Sequence, residues 1–320
     1  MQTILEEMRN KKILFVASTG GHLAQLRMIS ERISPDDNSL WVTFDSAQSR
    51  SLLRGKRKVL VDYIAPRDYR AVLRSIPKFR SILKNEQFDV VLTTGAAIAL
   101  GIVPQAILRN LDSLYIESVS RYDGPSLTGK IMRLLPKVQL RTQHSSWASR
   151  NWIHEFSVMD SFYSDKITPQ PRSSIRYFVT LGTIRPYRFD RMVDEVLEIL
   201  QPADEVTWQV GITDRDDLPG DVRSEMSSHE FDNAVMEADI VVTHAGVGTL
   251  MKLIELNAHV VTLPRYSRFN EHVDDHQNQV ARDFEVRELA VVCRPGELTI
   301  SSVHRARELN VGLQPTGSIR

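Results

Sequence analysis

Residues 241–250, Val-Val-Thr-His-Ala-Gly-Val-Gly-Thr-Leu, constrain the fold more than any other stretch of the chain. A β-branched run, a turn of small residues and the start of a helix follow one another directly. A run this short and this apolar suits a strand buried on both faces, which parallel sheets provide. The glycines let the helix begin at the strand's carboxyl end. Its first backbone N–H groups then have no partner within the helix and are offered to an anion.

The same succession recurs. Residues 12–17 read as a buried strand, Ser18-Thr19-Gly20-Gly21-His22 as the turn, and Leu23, Leu26 and Ile29 as the first helical period. Residues 89–93 are a strand, Thr94-Gly95-Ala96-Ala97 the turn, and 97–108 an apolar helix. Residues 176–181 are a strand, Gly182-Thr183 the turn, and Phe189, Met192, Val193, Val196, Leu197 and Leu200 fall at helical spacing. Further strands are expected at 40–44, 58–61, 113–116, 206–211 and 260–263, with 289–293 the last; helices are expected at 46–53, 68–85 and 231–236. At the turn of residues 18–22 the spacing is not G-x-G-x-x-G and no Gly-Lys-Ser/Thr follows, so it is neither a dinucleotide fingerprint nor a Walker loop. The alternation predicts an α/β chain of two Rossmann-like domains with a cleft between them. Pro and Ser in 165–174 mark a linker, leaving domains at 1–164 and 175–320.

Several side chains stand where such sheets bind ligands, beyond the carboxyl ends of strands. His22 is a candidate proton acceptor or phosphate contact. Glu117 ends the strand at 113–116, where a carboxylate could act as general base or instead cap the loop or pair with Arg121. The helix 68–85 has Tyr69, Val72, Leu73, Ile76, Phe79, Ile82 and Leu83 on one face and Arg70, Arg74 and Lys78 opposite, with Pro77 expected to kink or split it. Such a helix fits an anionic membrane surface or an ordinary solvated face. Residues 126–137 are a second segment both apolar and basic.

Composition excludes several classes. Apolar content of 42% and charge of 25% describe a soluble globular chain. No apolar run reaches the length of a membrane span, and the first residues lack the basic and small-residue features of a secretory signal. The single Cys293 permits no intrachain disulfide and suits a reducing cytoplasm. A net charge of zero hides an asymmetry: residues 1–165 carry 23 Lys+Arg against 16 Asp+Glu, hence +7, and residues 166–320 carry 17 against 24, hence −7. Either the uneven charge serves only solubility or docking of the two halves, or the basic half suits an anionic surface (nucleic acid, phosphate groups or acidic lipid). Its basic residues are spread over several helices without an aromatic platform, so nucleic acid is not an expected partner.

These residues resemble a known family. Thr243-His244-Ala245-Gly246-Val247-Gly248-Thr249, followed by Pro264 and Asp275-His276-Gln277, is similar to the C-terminal domain of glycosyltransferase family 28. Phe178-Val179-Thr180-Leu181-Gly182-Thr183 with Phe189-Asp190-Arg191 fits the same domain. Ser18–His22, Tyr115-Ile116-Glu117-Ser118 with Arg121, and Ser126-Leu127-Thr128-Gly129-Lys130 resemble the membrane-recruiting partner of that domain in the two-subunit UDP-GlcNAc transferases acting on polyprenyl-diphosphate-GlcNAc. The chain therefore looks like a fusion of both subunits, akin to the bacterial exopolysaccharide pair.

The resemblance implies a GT-B fold and an inverting, metal-independent transfer of a hexosyl group (GlcNAc, glucuronate or glucose). The donor is a UDP-sugar, which is a substrate and not a cofactor, and the acceptor a polyprenyl-diphosphate-linked sugar. The work is done at the cytoplasmic face of the cell membrane. It implies donor contacts from Gly182, Thr183, His244, Gly246, Val247, Gly248, Thr249, His276 and Gln277. It implies acceptor contacts from Ser18, Thr19, Gly20, Gly21, Thr94, Gly95 and Arg121, with His22 or Glu117 as base. Arg185, Arg188 and Arg265 are candidates to meet the charge of the departing UDP. One position departs from the family: Lys252 stands where a Glu usually binds the ribose hydroxyls, and Lys cannot accept those bonds. Either Glu255, three residues on along the helix, takes that role, or Lys252 is solvated and the site differs here. Two rival readings remain, a UDP-GlcNAc 2-epimerase-like enzyme and a non-catalytic scaffold recruiting a partner transferase.

Overall fold

The computed structural model describes residues 3–65, 68–182 and 184–314, so Thr183 lies outside the described residues. The chain divides into two compact units, 1–160 and 161–320.

The first unit runs α1 (Ile4–Glu7), β1 (Ile13–Ala17), α2 (Gly21–Ile33), β2 (Leu40–Phe44), α3 (Ala47–Leu52), β3 (Lys58–Val61), α4 (Tyr69–Asn85), β4 (Val90–Gly95), α5 (Ala97–Ile107), β5 (Ser113–Ile116), α6 (Leu127–Met132), β6 (Val138–Thr142) and β7 (Ile153–His154). The strands form one parallel sheet in the order β3-β2-β1-β4-β5-β6-β7. Every residue of β1, β2 and β4 is buried, as expected of strands covered on both faces. Phe15 stacks on Trp41 at 4.5 Å between ring centroids, and Phe79 of α4 packs into the cluster formed with α5.

The second unit runs β8 (Phe162–Lys166), β9 (Arg176–Thr180), α7 (Asp190–Ile199), β10 (Glu205–Gln209), β11 (Asp221–Arg223), α8 (Ser228–Glu237), β12 (Ile240–His244), α9 (Val247–Glu255), β13 (Val260–Leu263), α10 (His276–Val286), β14 (Val291–Val292), α11 (Ile300–Arg307) and β15 (Leu309–Leu313). Its parallel sheet has the order β11-β10-β9-β12-β13-β14. Trp208, Phe178 and Phe189 are fully buried in it. In both sheets the first long strand lies beside the fourth, and the chain winds outward from that pair in both directions. Each unit is therefore Rossmann-like, with a switch point between β1 and β4 and another between β9 and β12.

Three expectations need correction. The linker does not begin at 165: Asp165 and Lys166 end β8, which pairs antiparallel with β15. The last strand is accordingly β15 and not the one near 289–293, and its partner lies more than 140 residues away, beyond any local pattern. Pro77 lies inside α4 without splitting it. Burial of Val72, Phe79 and Leu83 on the same helix outweighs the one backbone bond a proline forfeits.

Candidate functional site

In the first unit the loops after β1 and β4 diverge at the switch point. Gly20, at φ +83°, opens α2 without a side-chain cap. Gln48 brackets that glycine, accepting from its N–H at 2.5 Å and donating to its carbonyl at 3.1 Å. Across the crevice, Gly95 (φ +103°) and Ala96 (φ +65°) turn the chain into α5, again without a side-chain cap. Only glycine fits at 95, because a Cβ there would meet the Tyr115 hydroxyl at 2.7 Å.

His22 and Thr94 join the two loops. The His22 Nδ1 lies 2.7 Å from the Thr94 carbonyl, and the Thr94 hydroxyl donates to the His22 carbonyl at 2.9 Å. A carbonyl only accepts, so Nδ1 carries the proton and Nε2 of the neutral ring keeps its lone pair. Burial lowers the His22 pKa. The bond to Thr94 opposes that shift, and the nearby Arg121 charge adds to it. His22 is thus an unprotonated acceptor at neutral pH. Ser18, Thr19 and Gly21 lie in the same turn and helix start, and Arg121 on the loop after β5.

Glu117 is not a reachable base. It is fully buried, and its carboxylate accepts from the backbone N–H of Ser118 (3.1 Å) and Ser126 (2.9 Å), from the Ser126 hydroxyl (3.0 Å) and from the Tyr115 hydroxyl (3.2 Å). Burial raises its pKa against these bonds. It fastens the loop that carries Arg121 to the start of α6. A side chain at Gly129 would collide with it, which accounts for the Ser126-Leu127-Thr128-Gly129 spacing.

In the second unit β12 delivers His244 to the switch point, and α9 starts at Gly246 with no side-chain cap. Val247, Gly248 and Thr249 are half-buried, so ligand can reach the helix start. Gly182 (φ +77°) and Gly246 flank the His244 ring: a Cβ at 182 would come within 2.6 Å of it, and one at 246 closer still. The imidazole fills the space both glycines leave. Burial, then the Arg265 charge, push His244 down to about 3, so it is neutral and lies beside a helix start with no side-chain cap among the described residues.

Arg265 is not a free cation at a cleft edge. It is buried, and its guanidinium donates to the carbonyls of Tyr187 (3.2 Å), Arg188 (3.0 Å), Glu271 (2.9 Å) and Leu181 (2.6 Å), with the Phe189 ring beneath it at 4.4 Å. Its backbone N–H donates to the buried Gln277 side chain at 3.1 Å. One residue thus ties the loop after β9 to the start of α10. Arg188 is held by Asp190 and Arg185 by Glu225. His276 opens α10, its N–H donating to Asp274.

Residues 177–308 match the glycosyltransferase family 28 C-terminal domain. The match covers most of the second unit. The first unit lies outside that match. Over 90% of its length and 86% of the relative's, the chain is 24% identical to the UDP-N-acetylglucosamine–N-acetylmuramyl-(pentapeptide) pyrophosphoryl-undecaprenol N-acetylglucosamine transferase of Rippkaea orientalis. Among solved structures, Acinetobacter baumannii MurG covers 92% of this chain and 89% of its own, at 16% identity and a TM-score of 0.53. The S. aureus MnaA–UDP co-structure covers 94% and 91%, at 10% identity and 0.55. The fold is GT-B, with two Rossmann-like units.

Within the matched region, the Lys252 Nζ pairs with Asp232 of α8 at 3.0 Å while the side chain stays partly exposed. Glu255 is the last residue of α9, and helix rise places it about 10 Å along the axis from Gly248. Sequence reasoning missed Gln48, the Arg191–Glu271 pair that braces the Arg265 loop, and Asp232. Only the last had a signal, since a cation in an anion's usual place calls for an acid nearby.

Proposed function

We propose that this protein is an inverting glycosyltransferase that moves a hexosyl group (GlcNAc, glucuronate or glucose) from a UDP-sugar to a polyprenyl-diphosphate-linked sugar. The observation that carries the reading is a family 28 domain whose glycine-opened helix α9 leaves its first N–H groups without a side-chain cap. A helix start of this kind favours a diphosphate. The full-length relative in Rippkaea orientalis carries UDP-N-acetylglucosamine and pyrophosphoryl-undecaprenol in its name, which supports this pair of substrate classes.

In this reading the acceptor hydroxyl oxygen forms a bond to the sugar C1 as the bond from C1 to the diphosphate oxygen breaks. The hydroxyl proton passes to the His22 Nε2, the one imidazole nitrogen without a carbonyl partner. Gly20 and Gly21 at the start of α2, with Arg121, receive the acceptor phosphates. The departing UDP gains negative charge, met by the N–H groups of Val247, Gly248 and Thr249. Gly182, His244, His276 and Gln277 shape the rest of the donor pocket. These groups supply the stabilisation without a metal or cofactor.

The acceptor lipid remains in the bilayer, so the protein works as a peripheral protein on the cytoplasmic face of the cell membrane. Helix α4 supports this: Tyr69 and Leu73 are 51% and 64% exposed beside the exposed Arg70, Arg74 and Lys78. Leu127 and Leu134 are exposed beside Lys130 and Arg133. Such mixtures suit anionic headgroups with shallow insertion. No helix among the described residues is long and apolar enough to cross a membrane.

Purified protein is incubated with membranes containing polyprenyl-diphosphate-sugars and a panel of UDP-sugars. Consumption of one donor with lengthening of the lipid-linked glycan is the expected result. If no donor is consumed and none raises the melting temperature, the transferase reading is wrong.

A further inference from the structure

Helix α2 buries Leu23, Leu26 and Ile29, and among them Gln25, whose side chain is as fully enclosed as theirs. A carboxamide placed there gives up its water, and an apolar residue of like shape costs little or nothing in its place. What the amide adds is a set of bonds to other segments. Its Oε1 accepts from the Val119 N–H at 2.9 Å and from the Gln143 side chain at 3.0 Å, and its Nε2 donates to the Ser118 hydroxyl at 3.1 Å. Gln143, just past β6, also donates to the Glu117 carbonyl at 2.9 Å. A buried network satisfied in this way fixes one arrangement of the segments it joins.

The segment held by Gln25 leads directly to Arg121. The Arg121 N–H donates to the Ser118 carbonyl at 3.0 Å, so the turn that presents Arg121 closes on the residue Gln25 grips. From the other side the Trp147 ring donates to the Arg121 carbonyl at 2.8 Å. His22 stands one turn before Gln25 on α2, about 4.5 Å along the axis, and the Arg121 charge bears on its ring. One helix thus fastens two loops of the crevice: His22 holds the loop after β4 through Thr94, and Gln25 holds the loop after β5. We propose that Gln25 is a positioning residue that sets Arg121 against the start of α2, so that guanidinium and helix start close on one diphosphate. The inference rests on the acceptor reading of the first unit. Gln25 is enclosed and acts through the loop it holds.

The probe is geranyl diphosphate, a soluble prenyl diphosphate, titrated calorimetrically into the full chain, with UDP as a control. Gln25→Leu nearly keeps the volume and removes the bonds. It is expected to weaken geranyl diphosphate binding about 10-fold, as for loss of a hydrogen bond to a charged group, and to leave UDP binding unchanged. Arg121→Ala is expected to weaken it at least as much, and Gln25→Leu added to Arg121→Ala to change it by less than about 2-fold, because the two residues act as one unit. An amide that merely supports the fold gives the same factor in both backgrounds. Ser118→Ala, which removes one of the bonds, serves if Gln25→Leu does not fold, and is expected to show the same dependence on Arg121 in smaller measure. If these variants bind the probe as wild type does, or if their loss persists without Arg121, the assignment of Gln25 is overturned and the acceptor reading stands. If wild type does not bind geranyl diphosphate, or if Arg121→Ala binds it as wild type does, the acceptor reading fails and the assignment with it.

Discussion

His22 and Thr94 bond each other twice, side chain to backbone in each direction, across the point where the first sheet reverses its winding. The pair fixes which imidazole nitrogen is free. It also holds the two glycine turns at a set separation. Replacing His22 by Ala is expected to lower kcat by about 10²–10⁴-fold, the usual contribution of a positioned base, with UDP binding unchanged. Parallel calorimetry and turnover measurements check this; equal loss of both would contradict the assignment.

The lowered His22 pKa sets the direction of the pH profile. The free base is the active form and the folded pKa lies below 6.5. Activity should therefore hold through pH 6.5 and fall only at lower pH, as the ring gains a proton. Folding stability follows the same sign. His22 and His244 are neutral in the fold, whereas the unfolded chain protonates them near 6.5. Stability is complete above 6.5 and declines as the pH drops from there toward about 3. Denaturant titrations at several pH values would reveal the slope; stability that rose on acidification from 6.5 would refute it.

The glycines flanking His244 make a second test. Gly182→Ala places a Cβ against the ring and a non-glycine residue at φ +77°, and a cost of roughly 1–2 kcal/mol comes from the backbone alone. Gly246→Ala meets the same ring without that backbone cost. His244→Ala should therefore rescue the stability of Gly246→Ala more fully than that of Gly182→Ala. Melting temperatures of the two double variants measure the difference.

Glu117→Gln distinguishes a fastener from a base. With four donors arranged for a carboxylate, the variant is expected to lose about 1–3 kcal/mol of stability and to keep its activity within about 10-fold at temperatures where it is folded. A loss near that of His22→Ala, with no change in melting temperature, would restore Glu117 as a proton acceptor.

Leu73→Asp and Leu134→Asp should weaken binding to vesicles of anionic lipid, while turnover of a short-chain soluble acceptor stays near wild type. Each removes an exposed apolar side chain from a basic surface and adds a negative charge. Sedimentation with vesicles reads the effect, and unchanged binding by the double variant would discard this surface.

The sequence by itself determined the alternation of strand, glycine turn and helix, because hydrophobic period and chain reversal are local properties. It placed His22, Gly182, Gly246 and the start of α9 at strand ends, and it marked Lys252 as out of place. Only the tertiary structure decided what surrounds those residues. Glu117 and Arg265 look like surface charges in the sequence, yet the fold buries each among donors or carbonyls drawn from several loops. The strand β15 exists because β8 lies beside it, and Lys252 has meaning because Asp232 stands twenty residues earlier on another helix. Burial and pairing depend on which distant segments the fold brings together, and no local period encodes that.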